Sequence, residues 1–334
     1  MRVKVETRLT SGEIADLWLM YMTDSMTVCS LKHFEKTVED PDIRPLVKYA
    51  LGISQKHVQK VKEIFNRENL PVPHGFTDDD LDLNTPRLFS DLYYPFFLEY
   101  WAKFGMVNYG TSLPLVARAD VRELNTGAIS SSVEISNRVV EVLIQKGLYV
   151  RPPYITVPKH VEFVQRKSFL GGWFGKQRPL LATEVLNLYS NIRSNTIGHI
   201  LMLGYGQVAR SDKVRRHFFR GKDIATKHIE VFSEILRNED IPASTTWETG
   251  VTASKVSPFS DKMMMFQTSQ LATAEAINYS TSMSVSMRRD LIAAYTRLAA
   301  EAMSFAEDTY DLMIENGWLE QPPQHVDHVG MAAK

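Results

Sequence analysis

The chain repeats itself, and that repetition limits what it can fold into. Displaced by 171 residues, Glu13 falls on Glu184, Leu17 on Leu188, Lys56-His57 on Lys227-His228, Glu63-Ile64 on Glu234-Ile235, Glu68 on Glu239 and Pro71 on Pro242. After a one-residue slip, an offset of 170 places Phe89-Ser90-Asp91 on Phe259-Ser260-Asp261, Asn108-Tyr109 on Asn278-Tyr279, Arg118 on Arg288 and Asp120 on Asp290. The same offset superposes Gly147 on Gly317 and Pro152-Pro153 on Pro322-Pro323. A single slip over about 150 residues identifies an internal duplication. The chain of 334 residues, 44% of them hydrophobic, is long enough and apolar enough for one core per repeat.

The segment joining the repeats, SFLGGWFGKQRPLL at 168–181, contains a Gly-Lys pair. A phosphate-binding loop would also need glycine at 170 and a hydroxyl at 177, where Leu170 and Gln177 stand. The segment is therefore expected to be a packed joint, with Phe169, Trp173 and Phe174 wedged between the halves and self-association as its functional alternative. The expected organisation is one bundle over 1–157, an aromatic and glycine-rich linker over 158–182, and a second bundle over 183–334.

Each repeat reads as four long helices, giving an all-α fold. In the first repeat, helix one opens with Ser11 as the expected cap, and helix two runs from about Ile43 to Asn69. Helix three, interrupted by Pro95, Gly105 and Gly110, is expected to be kinked or frayed. Helix four starts at Asp120, as its partner starts at Asp290, each an expected N-cap, and ends at Gly147 or Gly317. A four-residue turn makes helices one and two antiparallel neighbours. The sixteen residues from Leu70 to Thr85 can span roughly 50 Å, more than the ~39 Å of a 26-residue helix, so they can traverse the bundle. Two tandem ferritin-like four-helix bundles, with one long crossover each, follow from this pattern.

The twofold repeat, the RPLL segment, the Lys-His pairs at 56–57 and 227–228 and the Gly-Leu or Gly-Trp endings followed by Pro-Pro resemble a family of Gram-positive spore-forming bacteria. Members of that family carry one or two ferritin-like domains and are sometimes labelled spore-coat-like. The resemblance implies the fold over almost the whole chain and brings no assigned reaction.

Ferritin-like bundles often hold two metal ions between single glutamates and Glu-x-x-His motifs. Ser54 and Ala225 stand where those motifs would need glutamate, and the fourth helices contain no histidine. One expectation is a reduced site. Counting along the helices sets Asp24 opposite His57, with Glu99 and Glu134 or Glu141 within about a turn, a set suited to Fe, Mn or Zn. The repeat-two equivalents are Asn195, His228, Ser269 and Ser304 or Asp311, with His199, Glu275 and Glu307 nearby as compensating ligands. The competing expectation is a buried hydrogen-bonded pair, Asp24 with His57 and Asn195 with His228, and it is the favoured one.

Lys plus Arg, 38, balance Asp plus Glu, 39, which does not call for nucleic acid. The basic run Lys213–Lys222 is expected on a solvated helix face. The aromatic stretch YYPFFLEYW is expected in a core, and the single Cys29 as a buried thiol. No signal peptide or membrane span is evident, so a cytoplasmic or spore-associated location is expected. The function expected is that of a non-catalytic structural or binding protein, spore- or stress-associated, with a homo-oligomer or spore-coat partner met through the linker and bundle faces. The alternative is a metal-binding protein or metal-dependent oxidoreductase.

Overall fold

A computed structural model of the chain describes residues 7–172, 177–243 and 250–325. Among them, helices α1 (Ser11–Thr37), α2 (Arg44–Arg67), α3 (Tyr93–Ser112) and α4 (Ala119–Gln145) build repeat 1. Helices α5 (Ala182–Val208), α6 (Asp212–Arg237), α7 (Asp261–Val285) and α8 (Arg289–Glu315) build repeat 2. No strand forms among these residues, and the fold is all-α, two helical bundles in tandem.

Local chemistry sets the helix ends, in places one residue away from expectation. Thr10, not Ser11, caps α1 in a capping box with Glu13. Asp120 and Asp290 are not caps either: α4 and α8 begin one residue earlier, and each aspartate lies in the first turn, bound to Arg118 or Arg288. Gly147 and Gly317 end these helices at φ of 68° and 67°, a backbone state open to glycine. Helix α3 begins at Tyr93, which puts Pro95 in the first turn, where its missing N–H costs nothing; the helix then runs unbroken to Ser112 rather than fraying.

The polar residues shared by the repeats tie helix ends together. The Glu13 carboxylate accepts from the amides of Ala117 and Arg118 at 3.1 and 2.8 Å. Glu184 does the same for Met287 and Arg288 at 3.1 and 3.2 Å. Arg118 reaches Glu68, and Arg288 reaches Glu239, so the start of the first helix, the end of the second and the start of the fourth are held at one point in each bundle. Asp91 accepts from the amides of Glu39 and Asp40, and Asp261 from those of Arg210 and Ser211, fixing the short turns.

The crossovers do more than span their bundles, because they pair with each other. Leu81 bridges Phe259 and Phe89 bridges Val251, and since Phe89 corresponds to Phe259 and Leu81 to Val251, the contact maps onto itself when the repeats are exchanged. This is the self-complementary pattern of a twofold dimer, here within one chain. Hydrogen bonds from Asp82 N to Pro258 O (2.8 Å), Ser260 N to Asp80 O (3.0 Å), Ser90 N to Gly250 O (2.9 Å) and Thr252 N to Leu88 O (2.9 Å) close the seam.

One buried apolar cluster runs through both repeats across this seam, and the aromatic stretch of α3 lies in it. Phe34 stacks on Tyr94 with ring centroids 4.3 Å apart. Further buried clusters fill the outer part of each bundle. The crossovers and core join the halves over the described residues. Tyr154 and Val157, just before the linker, and Val161 and Phe163 within it are exposed, whereas Phe169 lies under the Arg178 guanidinium at 4.5 Å. Trp173 and Phe174 lie outside the described residues. No described helix is long and apolar enough to cross a membrane.

Candidate functional site

Halfway along each bundle the histidine of the Lys-His pair points inward against a tyrosine. In repeat 1 the His57 Nδ1 is 3.0 Å from Asp24 Oδ2, and Tyr109 also bonds Asp24. Asp24 carries only acceptors, so Nδ1 is the donor. Burial alone would push the His57 pKa down, but the Asp24 charge and hydrogen bond outweigh it and hold the imidazole above its ordinary value. A cavity of about 80 Å³ adjoins the pair, walled by Phe97, Trp101 and Phe104 and by the polar Asp16, Thr23 and Asn108. It has room for several waters or a very small ligand.

Repeat 2 keeps the histidine and tyrosine but rearranges the acids. His228 Nε2 donates to Glu301 at 3.1 Å, so in the neutral ring Nδ1 accepts from the Tyr279 hydroxyl at 2.8 Å. The Asn195 amide donates to the same hydroxyl at 2.7 Å. Burial lowers the His228 pKa, and the carboxylate of Glu301 only partly opposes it. Glu275 is buried beside Asn195 at 3.3 Å, with Oε1 lacking any partner, and burial pushes its pKa to about 7. The cavity here is smaller, about 50 Å³. Gly105 and Ser131 occupy the repeat-1 positions that match Glu275 and Glu301.

The remaining candidate ligands lie apart from these pairs. Glu99 bonds Arg193 of α5, across the boundary between repeats. Glu134 pairs with Arg138 at 2.7 Å on the surface of α4, and Glu141 is exposed. His199 lies 3.0 Å from the Thr226 hydroxyl, while Glu307 is exposed. Ser269 is buried, and Ser304 and Asp311 are exposed. Among the described residues no three His, Cys, Asp or Glu side chains converge as a metal site. The sequence did not assign roles to Glu301 or the two tyrosines, although the repeated Asn-Tyr pairs at 108–109 and 278–279 marked the tyrosines' positions.

Other conspicuous groups are absorbed by packing. Cys29 is buried, and burial pushes its thiol pKa to about 12, well outside the nucleophilic range. Within the basic run on α6, Lys213, Arg215, Arg220 and Lys222 pair with Glu315, Asp212, Asp308 and Asp223, and His217 lies buried 2.8 Å from the Thr309 hydroxyl.

The mid-bundle geometry defines a duplicated helical protein with a buried His-Tyr pair in each unit. The chain belongs to the family described as protein of unknown function DUF3231, whose pattern matches residues 2–161 and again 168–330. Among solved structures it is similar to a Bacillus halodurans protein described as a "putative spore coat protein", at 16% identity and a TM-score of 0.43, over 45% of this chain and 98% of that one. No curated protein matches.

Proposed function

We propose that the chain is a non-catalytic binding protein assembled from two ferritin-like bundles, over 1–157 and 183–334, that have given up the metal centre of that architecture. The observation that carries this reading is the use made of the histidines. His57 spends Nδ1 on Asp24, and His228 spends both nitrogens on Tyr279 and Glu301, so each ring is engaged by hydrogen bonds rather than grouped with further ligands. Among the ionisable residues common to both repeats, Glu13 and Glu184, Glu68 and Glu239, and Arg118 and Arg288 serve helix ends.

Partner contact through the exposed apolar side chains of Tyr154 and Val157, just before the linker, and of Val161 and Phe163 within it belongs to the same proposal, as do self-association and a cytoplasmic, spore- or stress-associated setting. The second reading, metal binding at the His57 or His228 level, rests on Asp24 beside His57 and Glu301 beside His228. Aerobic incubation with Fe(II) separates the two. The binding-protein reading expects iron oxidation at the protein-free rate, and a saturable acceleration lost in His57→Ala or His228→Ala would replace it with the oxidoreductase.

A further inference from the structure

The two Lys-His pairs occupy equivalent positions but face different surroundings. In repeat 2 the pair grips one carboxylate: Lys227 Nζ lies 2.9 Å from each Glu301 oxygen, and His228 Nε2 is 3.1 Å from Oε2. Glu301 is on α8, and its equivalent on α4 is Ser131. A hydroxymethyl group there is too short to bridge the pair, and the Ser131 hydroxyl instead bonds the Gly127 carbonyl at 2.8 Å.

Among the described residues no carboxylate bridges Lys56 and His57, because Asp24 meets the ring only at Nδ1, from inside the bundle. Lys56, His57 and Ser131 line one open groove between α2 and α4, with a volume of about 810 Å³, within the range of small-molecule sites. Gly52 and Gly127 widen it, and Ile53, Ile64 and Leu124 give it apolar walls. The acids in the groove do not compete for the pair: Glu63 is bound to Lys60, and Asp120 to Arg67 and Arg118. Glu123 lies about two turns along α4 from Ser131.

We infer that the α2–α4 groove of repeat 1 is a binding site for a small monocarboxylate with a short apolar tail, its carboxylate bridging Lys56 and His57 as Glu301 bridges Lys227 and His228. The bundle thus takes from a ligand the acid that its sister repeat carries in its own chain. The charge-assisted bonds fix the head group, and the apolar walls receive the tail. Asp24 supports the arrangement from behind: it orients the ring and favours the imidazolium, whose Nε2 then carries a proton for the ligand.

This inference rests on the binding-protein reading, and the test is built to separate the two. Calorimetric titration of the full chain with butyrate is expected to show one saturable site, with butan-1-ol and butylammonium showing none. Ser131→Glu places the chain's own carboxylate in reach of the pair and is expected to abolish binding. Lys56→Met, a change at an exposed side chain that leaves folding alone, is expected to weaken binding at least tenfold. Absence of saturable butyrate binding in metal-free wild type overturns the inference while leaving the binding-protein reading intact, as does unchanged affinity in Lys56→Met. Stoichiometric metal in the same sample, lost on substitution of His57, overturns that reading itself.

Discussion

The ring of Phe89 lies against Gly204 so closely that a Cβ at that position would sit 2.5 Å from the ring. The exchanged contact is Phe259 against His33, an edge-to-face pair with centroids 5.6 Å apart, at the position that corresponds to Gly204. The two repeats have thus solved the same twofold contact with different volumes, an imidazole on one side and a bare backbone on the other. Because Phe89 is almost fully buried, it has no room to yield. Gly204→Ala is expected to destabilise the protein by about 1–3 kcal/mol in chemical denaturation. With one apolar cluster crossing the seam, both halves are expected to unfold in a single transition.

The Glu13 and Glu184 clamps predict a matched pair of substitutions. Burial alone would raise both carboxyl groups, but the helix-end hydrogen bonds, joined at Glu184 by Arg178, outweigh it and hold both below the ordinary value. Each ionised group therefore adds stability above the carboxylate range, and that stability is lost as pH falls through its lowered folded pKa. Replacing either by Gln is expected to cost about 1–3 kcal/mol at pH 7 and to flatten the acid limb of the stability profile.

His57 and His228 are expected to titrate on opposite sides of their shared ordinary value of 6.5. His57 faces Asp24 from α1, Tyr109 from α3, Ser131 from α4 and its neighbour Lys56. Its folded pKa is raised, so its contribution is present below the unfolded value and lost as pH rises through the folded one. His228 faces Glu301 from α8, Tyr279 from α7, Asn195 from α5 and its neighbour Lys227. Its folded pKa is lowered, so its contribution is present above 6.5 and lost as pH falls. NMR titration of the two imidazoles checks the order, and Asp24→Asn is expected to bring His57 below 6.5.

Glu275 makes the opposite kind of prediction from the clamp glutamates. Its folded pKa of about 7 exceeds the ordinary carboxyl value of 4.5, so stability falls as pH rises between them. Glu275→Gln is expected to remove that slope and to make the protein more stable than wild type above pH 7, measured by thermal unfolding.

Much of the fold was legible in the sequence because duplication marked each element twice: the glycine stops at 147 and 317 and the Phe-Ser-Asp triplets lie where the pairing put them. The caps slipped by a residue because Thr10 and Ser11 are chemically equivalent choices until the Glu13 geometry decides between them. The site was harder to read. Counting along α1 and α2 sets Asp24 against His57 because a short turn fixes that register. The partner of Glu99 is Arg193, however, and no count within one bundle reaches a residue of the other repeat. Glu301 was missed for a related reason: it has no counterpart in repeat 1, so comparing the repeats could not reveal it.

The most direct test of the account is the metal content of protein purified without a histidine tag, measured by elemental analysis before and after incubation with Fe(II), Mn(II) or Zn(II). The account predicts no stoichiometric metal in wild type, with His57→Ala and His228→Ala unchanged from it. One equivalent of iron, manganese or zinc per chain, lost in either variant, would contradict it.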